Sequence, residues 1–173
     1  MKNLLFFSMI FINSFSNISK CDFNKLPILS LNIVQKGSYI FPGEINCILV
    51  EAHLKNTSDS TIGFLVLSCS LYDSFVLDND NFHILHNECS RNTSYPIKLE
   101  PHQEISIPLI LQTNNSVLIS SNTLKIGFIF IKDDIKINEP LLETINKCKL
   151  ESDKLVWSKS FSVYHGSEPI LLK

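Results

Sequence analysis

From residue 26 onward, apolar and polar positions alternate with a period of two, the side-chain repeat of a strand. Leu29, Leu31 and Ile33 alternate with Ser30 and Asn32, and Ile48, Val50, Ala52 and Leu54 alternate with Leu49, Glu51 and His53. Both segments predict strands. Ile62 to Leu71 is nearly continuously apolar and rich in branched and aromatic residues, which predicts a central strand covered on both faces. Phe82 to His86 makes a short strand candidate. Ile105, Ile107, Leu109 and Leu111 alternate with Glu104, Ser106 and Pro108, and the missing N–H of Pro108 places that strand at a sheet edge. Ile126, Phe128 and Phe130 alternate with Gly127, Ile129 and Ile131, and a last strand sets Leu155, Trp157, Phe161 and Val163 opposite Val156, Ser158, Ser160 and Ser162.

Turn signals separate these runs: Pro42-Gly43, Asn56 to Ser60, Asp78 to Asn81, Glu100-Pro101-His102 and Asn114-Asn115-Ser116. About seven to eight short strands with closely spaced turns predict an all-β fold, an immunoglobulin-like antiparallel β-sandwich. One stretch breaks the rhythm. Asn138 to Leu150 carries Leu141, Ile145 and Cys148 at helical spacing, with Asn138 as a cap and Pro140 in the first turn. This predicts a short surface helix over about 138–150, packed against one end of the sandwich.

The first residues follow a different pattern. Met1-Lys2 is a positive end, Leu4 to Ile12 an apolar run, and Asn13 to Ser16 turns polar with small residues. That is the layout of a secretory signal peptide, and the run is too short for the roughly 20 residues of a membrane-spanning helix. The expected organisation is a signal peptide at 1–20 and a single domain at 21–173, exported to the periplasm, cell envelope or medium. Ile18-Ser19-Lys20-Cys21 resembles a bacterial lipobox with Lys20 out of pattern, which makes Cys21 a lipidation candidate and the only route to a membrane.

Composition adds less. The 173 residues contain one alanine, Ala52, and one arginine, Arg91, against 16 asparagines. Scarce alanine suits a β fold, and an AT-rich genome explains it equally well. With 15 Lys+Arg and 17 Asp+Glu the chain lacks the basic footprint of a nucleic-acid binder.

Five cysteines, Cys21, Cys47, Cys69, Cys89 and Cys148, are an odd number for an exported chain, and lipidation of Cys21 would leave four. Cys69 and Cys89 flank one excursion between strand-like segments and make the expected disulfide, worth roughly 3 kcal/mol for such a loop. Cys47 and Cys148 either pair or remain buried thiols. Candidate chemistry is thin. His83 and His86 near Cys89 are metal-ligand types, but residues three apart on a strand face opposite ways. Asp78 to Asn81 lacks the glycine and distal glutamate of a calcium loop. No nucleophile elbow, phosphate loop or cofactor motif is present, so no catalytic or metal site is assigned. Asn17, Asn56, Asn92 and Asn114 begin Asn-x-Ser/Thr sequons, which matter only in a eukaryotic host.

Leu54 to Ser58, Cys69 to Phe75, Cys89 to Asn92 with Ile97 to Pro101, and Ile126 to Phe128 together resemble small exported β-sandwich proteins of Bacteroidetes-type bacteria. The resemblance covers about residues 45 to 160, supports fold and compartment, and carries no catalytic residues. The functional expectation is a non-catalytic exported module that binds a protein or envelope component. The hairpin from Cys69 to Cys89, with Tyr72 and Phe75, is the expected recognition loop. The alternative is an envelope metal-binding protein or hydrolase that uses His53, His83, His86, His102 and His165 from separate loops.

Overall fold

A computed structural model describes residues 28–41, 45–86, 92–113, 122–134, 139–150 and 155–163. Among these lie β1 (Leu29–Phe41), β2 (Ile45–Asn56), β3 (Ile62–Leu67), a 3-10 turn (Leu71–Ser74), β4 (Phe75–Leu77), β5 (Phe82–Ile84) and β6 (Ser94–Leu99). They are followed by β7 (Glu104–Thr113), β8 (Asn122–Leu124), β9 (Ile126–Ile129), α1 (Leu141–Lys149), β10 (Leu155–Trp157) and β11 (Phe161–Val163). The described residues are all-β with a single helix, and their named ladders are antiparallel.

β1, β2, β7 and β5 form a four-stranded sheet in that order. The alternation in β2 marks its core face as expected: Ile48, Val50, Ala52 and Leu54 are fully buried. β7 is an interior strand here, contrary to the edge position that Pro108 suggests. The Ile110 carbonyl accepts from the Leu85 N–H on the β5 side, so residue 108, two positions earlier, also aims its backbone that way. β5 pairs only with Leu111 to Thr113, so Pro108 lies beyond its end and withholds no ladder bond.

The remaining strands form shorter ladders, β10-β9-β4, β11-β8 and β3-β6. The Leu65 N–H donates to the Ile131 carbonyl (2.8 Å), and a Phe64–Lys132 bridge lies beside it, tying β3 to the chain that leaves β9. The expected strand over 62–71 therefore stops at Leu67, and its neighbours are β6 and this short bridge. The strand buried at every position is β9. A Cβ on its Gly127 would come within 2.8 Å of Val76 Cγ2 and 3.1 Å of the Trp157 ring, so glycine is required there by close approach.

The expected last strand is two. β10 and β11 face β9 and β8 with a register that slips by one residue between Trp157–Gly127 and Phe161–Leu124. An extra residue in one strand exchanges its two faces. Val156, expected on the outer face, packs on the main core, whereas Leu155 packs on the helix side. A second slip, between Gln35 and Gly37, interrupts β1 at Lys36.

The main core lies between the four-stranded sheet and the shorter ladders. Leu31, Val50, Leu109 and Leu111 come from the first, and Phe64, Phe75, Leu99 and Phe128 from the second. A smaller core lies on the far side of β3 and β9, where Leu67, Ile129 and Ile131 meet Leu141, Ile145 and Cys148 of α1. The helical spacing of these last three is as expected, but α1 packs on a face of the strands. It starts at Leu141 with Pro140 as its cap residue and no side-chain cap, so Pro140 precedes the first turn; Asn138 is outside the described residues.

Asn56 closes a corner where β2 passes to β3 and β6 to β7. It is fully buried, and its Nδ2 donates to the carbonyls of Ser60 (2.8 Å), Leu99 (3.1 Å) and Glu100 (3.0 Å). Its Oδ1 accepts from Ser58 N–H (2.9 Å) and Ser58 Oγ (2.7 Å). An amide held in this way is not open to the glycosylation its sequon suggests. At the same corner, Gln103 N–H donates to the Glu100 carbonyl (3.0 Å) across a turn with Pro101 second and His102 third, the latter at φ 61°. That is the position where a type II turn favours glycine. His102→Gly is expected to raise stability by about 1 kcal/mol, the approximate cost of left-handed backbone in a residue with a Cβ. A chemical melt in which the variant is no more stable than the parent would contradict this.

Candidate functional site

The odd-numbered side chains of β3 point away from the main core, and Leu65 and Leu67 form the floor of a groove beside α1. One wall is Glu139 to Leu142 at the start of the helix; the other is Asn92, Thr93 and Ser94 at the start of β6. The groove encloses about 690 Å³, within the usual range for ligand sites. Its rim is fixed by hydrogen bonds. Ser68 N–H donates to the Thr93 carbonyl (2.8 Å), and Thr93 N–H to Ser68 Oγ (3.2 Å). Asn92 accepts from Cys69 N–H (3.3 Å) through Oδ1 and donates to Ser70 Oγ through Nδ2.

Among the described residues Glu139 supplies the only charge of the lining, and it is already engaged. It accepts from Thr144 Oγ1 (3.1 Å) and from Lys147 Nζ, and that second bond holds the Lys147 pKa above its ordinary value. The carboxylate lies over the start of α1, where the helix dipole favours negative charge. Leu142 projects from the same wall at 44% exposure. An apolar floor with a hydroxyl and amide rim, and neither imidazole nor thiol among the described residues of the lining, offers burial of apolar side chains and hydrogen bonds to an extended backbone.

The residues singled out in the sequence fall elsewhere. Phe75 is 3% exposed and packs at a tilt against Phe128 with ring centroids 5.1 Å apart, so its ring belongs to the main core. Tyr72 is half-buried in the 3-10 turn, packed on the main core and edge-on to His86. The segment after Cys69 is not a free hairpin, because β4 pairs with β9 and β5 with β7. Cys69 and Cys148 are each disulfide-bonded, and Cys47 is a free buried thiol whose pKa burial pushes up. A Cys47–Cys148 bridge is thereby overturned, as is a free Cys148: Cys47 lies in the four-stranded sheet and Cys148 in the helix-side core. Cys21 and Cys89 are outside the described residues, and with them the Cys21 lipid and the Cys69–Cys89 pairing.

The histidines are dispersed. His53 lies on the outer face of the four-stranded sheet between Glu104 (2.9 Å) and Glu51 (3.4 Å). The Lys36 ammonium holds the neighbouring Glu51 carboxyl below its usual range. His102 contacts Asp59 at the corner (3.1 Å). His83 and His86 line a shallow depression of about 260 Å³ with Phe75, Phe82 and Lys149, His83 facing Gln112 (3.0 Å) and His86 Asp73 (3.5 Å). His165 is outside the described residues. Among the described residues no group of three or more His, Cys, Asp or Glu is placed to hold a metal, and no helix is long and apolar enough to cross a membrane. Asp78 and Asn79 do not converge on a cation: Asp78 Oδ1 accepts from Lys125 N–H (2.6 Å) and Asn79 Oδ1 from Asn81 N–H (3.0 Å).

The groove is not legible in the chain. Its one signal is the unbroken apolar run through Leu65 and Leu67, which marks a strand covered on both faces without showing that the helix covers only part of the second face. Comparison of the chain with protein-family models, curated proteins and solved structures finds no match.

Proposed function

We propose that the chain is an exported, non-catalytic β-sandwich module of immunoglobulin-like type that binds an extended segment of a protein or envelope component in the groove between α1 and β6. The observation that carries this reading is the groove itself, with Leu65 and Leu67 as floor and the exposed Leu142 on its wall. A stapled framework fits the same reading, since Cys69 and Cys148 are both in disulfides, bonds that persist in oxidising compartments. The contact surface thus moves from the Tyr72–Phe75 segment to the opposite side of β3.

A photo-crosslinking residue in place of Leu142, in protein expressed in its own host, is expected to give one defined adduct. The same probe at the exposed Lys55, on the outer face of the four-stranded sheet, should not give it. The reading fails if position 142 yields no adduct or the same products as position 55.

The alternative reading, an envelope metal-binding protein or hydrolase, keeps one supporting observation, the shared depression of His83 and His86. Zinc titration of the wild type and of H83A/H86A tests its metal-binding form: a melting temperature that zinc leaves unmoved in both removes that form.

A further inference from the structure

β1 ends the four-stranded sheet, and its first half is a strand edge of an unusual kind. Thr57 N–H donates to the Ile28 carbonyl (2.8 Å), which sets the direction of the backbone groups. Residues 28, 30 and 32 aim toward β2, and the N–H and C=O groups of Leu29, Leu31 and Ile33 aim outward. These outward groups have no partner among the described residues. From Leu29 to Gln35 the strand carries no charge, no proline and no glycine; Lys36 and the register slip come only afterwards.

Folded proteins usually protect such an edge with charge, proline, a bulge or brevity, and the other edges among the described residues show those devices. β4, β5, β8, β10 and β11 are three residues each. β6 has Pro96 at its middle. Because Leu65 N–H binds Ile131, the Leu65–Pro96 pair aims its backbone groups apart, so the proline nitrogen faces the free side of β6. Among the described strands, only β1 is left open over several residues.

We infer that two copies of this chain pair through β1, antiparallel about a two-fold axis at Leu31, and so join their four-stranded sheets into one. The segment is self-complementary about that axis. Leu29 faces Ile33 of the second copy and Leu31 faces its counterpart, with about six backbone hydrogen bonds formed between outward groups. The core side chains Leu29 (2% exposed) and Leu31 (7%) stay where they are. On the solvent face, Ser30 of each copy lies opposite Asn32 of the other, so no like charges meet. This contact lies away from the groove and does not depend on its role.

Sedimentation of the purified chain from about 1 µM to about 1 mM is expected to show the mass rising to twice that of the monomer, as a small interface predicts. S30K/N32K places lysines of the two copies side by side on exposed positions and should remain monomeric throughout. S30E/N32E alone should do the same, and an equimolar mixture of the two variants should recover a one-to-one dimer, which also shows that both fold. A wild type that stays monomeric at the highest concentration overturns the inference. So does a lysine variant that dimerises as the wild type does. Slow exchange of the Leu31 and Ile33 amides in a strictly monomeric protein would assign the edge to another part of its own chain, again overturning it.

Discussion

Asn56→Asp is expected to lower stability by about 3 kcal/mol or more at neutral pH. The substitution changes shape hardly at all but replaces a donor with an acceptor. The asparagine Nδ2 faces three carbonyl oxygens, those of Ser60, Leu99 and Glu100, at a fully buried position. A carboxylate oxygen in its place meets three acceptors and no donor, while the corner carbonyls lose the side-chain amide that serves them. Desolvation and repulsion both raise the pKa of the new carboxyl in the folded state above the unfolded value of about 3.9. The sign of the pH dependence follows. Below about pH 3.9 the group is protonated folded and unfolded, and the penalty is smallest. It grows as pH rises through the interval up to the folded-state pKa, then levels off. Urea melts of wild type and variant at about pH 3.5 and about pH 7 test this: a difference no larger at the higher pH would refute the donor role of Nδ2.

Nothing in the local sequence around Asn56 distinguishes this role. Asn-Thr-Ser-Asp-Ser reads as a turn and as a glycosylation sequon, and while Ser58 and Ser60 are local partners, two of the three carbonyls that its amide serves, those of Leu99 and Glu100, lie more than 40 residues away in the chain. The core faces, by contrast, are legible, because a period of two is a property of adjacent residues. Leu29, Leu31, Ile48, Val50, Ala52, Leu54, Ile107, Leu109 and Leu111 are buried as the alternation requires. The pattern fails where the backbone slips. A bulge near Ser158–Ser160 exchanges the faces of β10, and no composition signal announces it. Pro108 misleads in a different way: the rule that proline avoids interior ladders holds at the level of one hydrogen bond, and the short reach of β5 satisfies it without moving β7 to an edge. Phe75 illustrates the cost of reading a loop from flanking cysteines alone. Its segment reads as an exposed link between two strands, whereas each half of it adds a strand to a different ladder. The groove depends on the docking of α1, a relation between distant segments that periodicity does not encode.

Phe128→Ala is expected to cost about 4 kcal/mol, within the range for emptying a buried phenylalanine site. Phe128 is fully buried at the centre of β9, with Phe64 edge-on at 5.5 Å and Phe75 at 5.1 Å. Those rings belong to β3 and β4, which β9 and the chain leaving it hold by separate backbone contacts. The site therefore cannot collapse by a single shift. Gly127 makes relaxation harder still, since Val76 and the Trp157 ring already crowd the space that a Cβ on it would take. Against the roughly 5–15 kcal/mol of total stability usual for a domain, a loss of this size moves a denaturation midpoint by a large fraction. Phe75→Ala should cost about 3 kcal/mol, and a double-mutant cycle between the two should show coupling of about 1 kcal/mol from their ring contact. Tyr72→Ala, at a half-buried position, should cost much less than either. If Phe75→Ala unfolds at the wild-type midpoint, the ring is not a core element and its role as a contact residue returns; a loss equal to that of any other core phenylalanine fixes it as part of the frame on which the β3 groove is built.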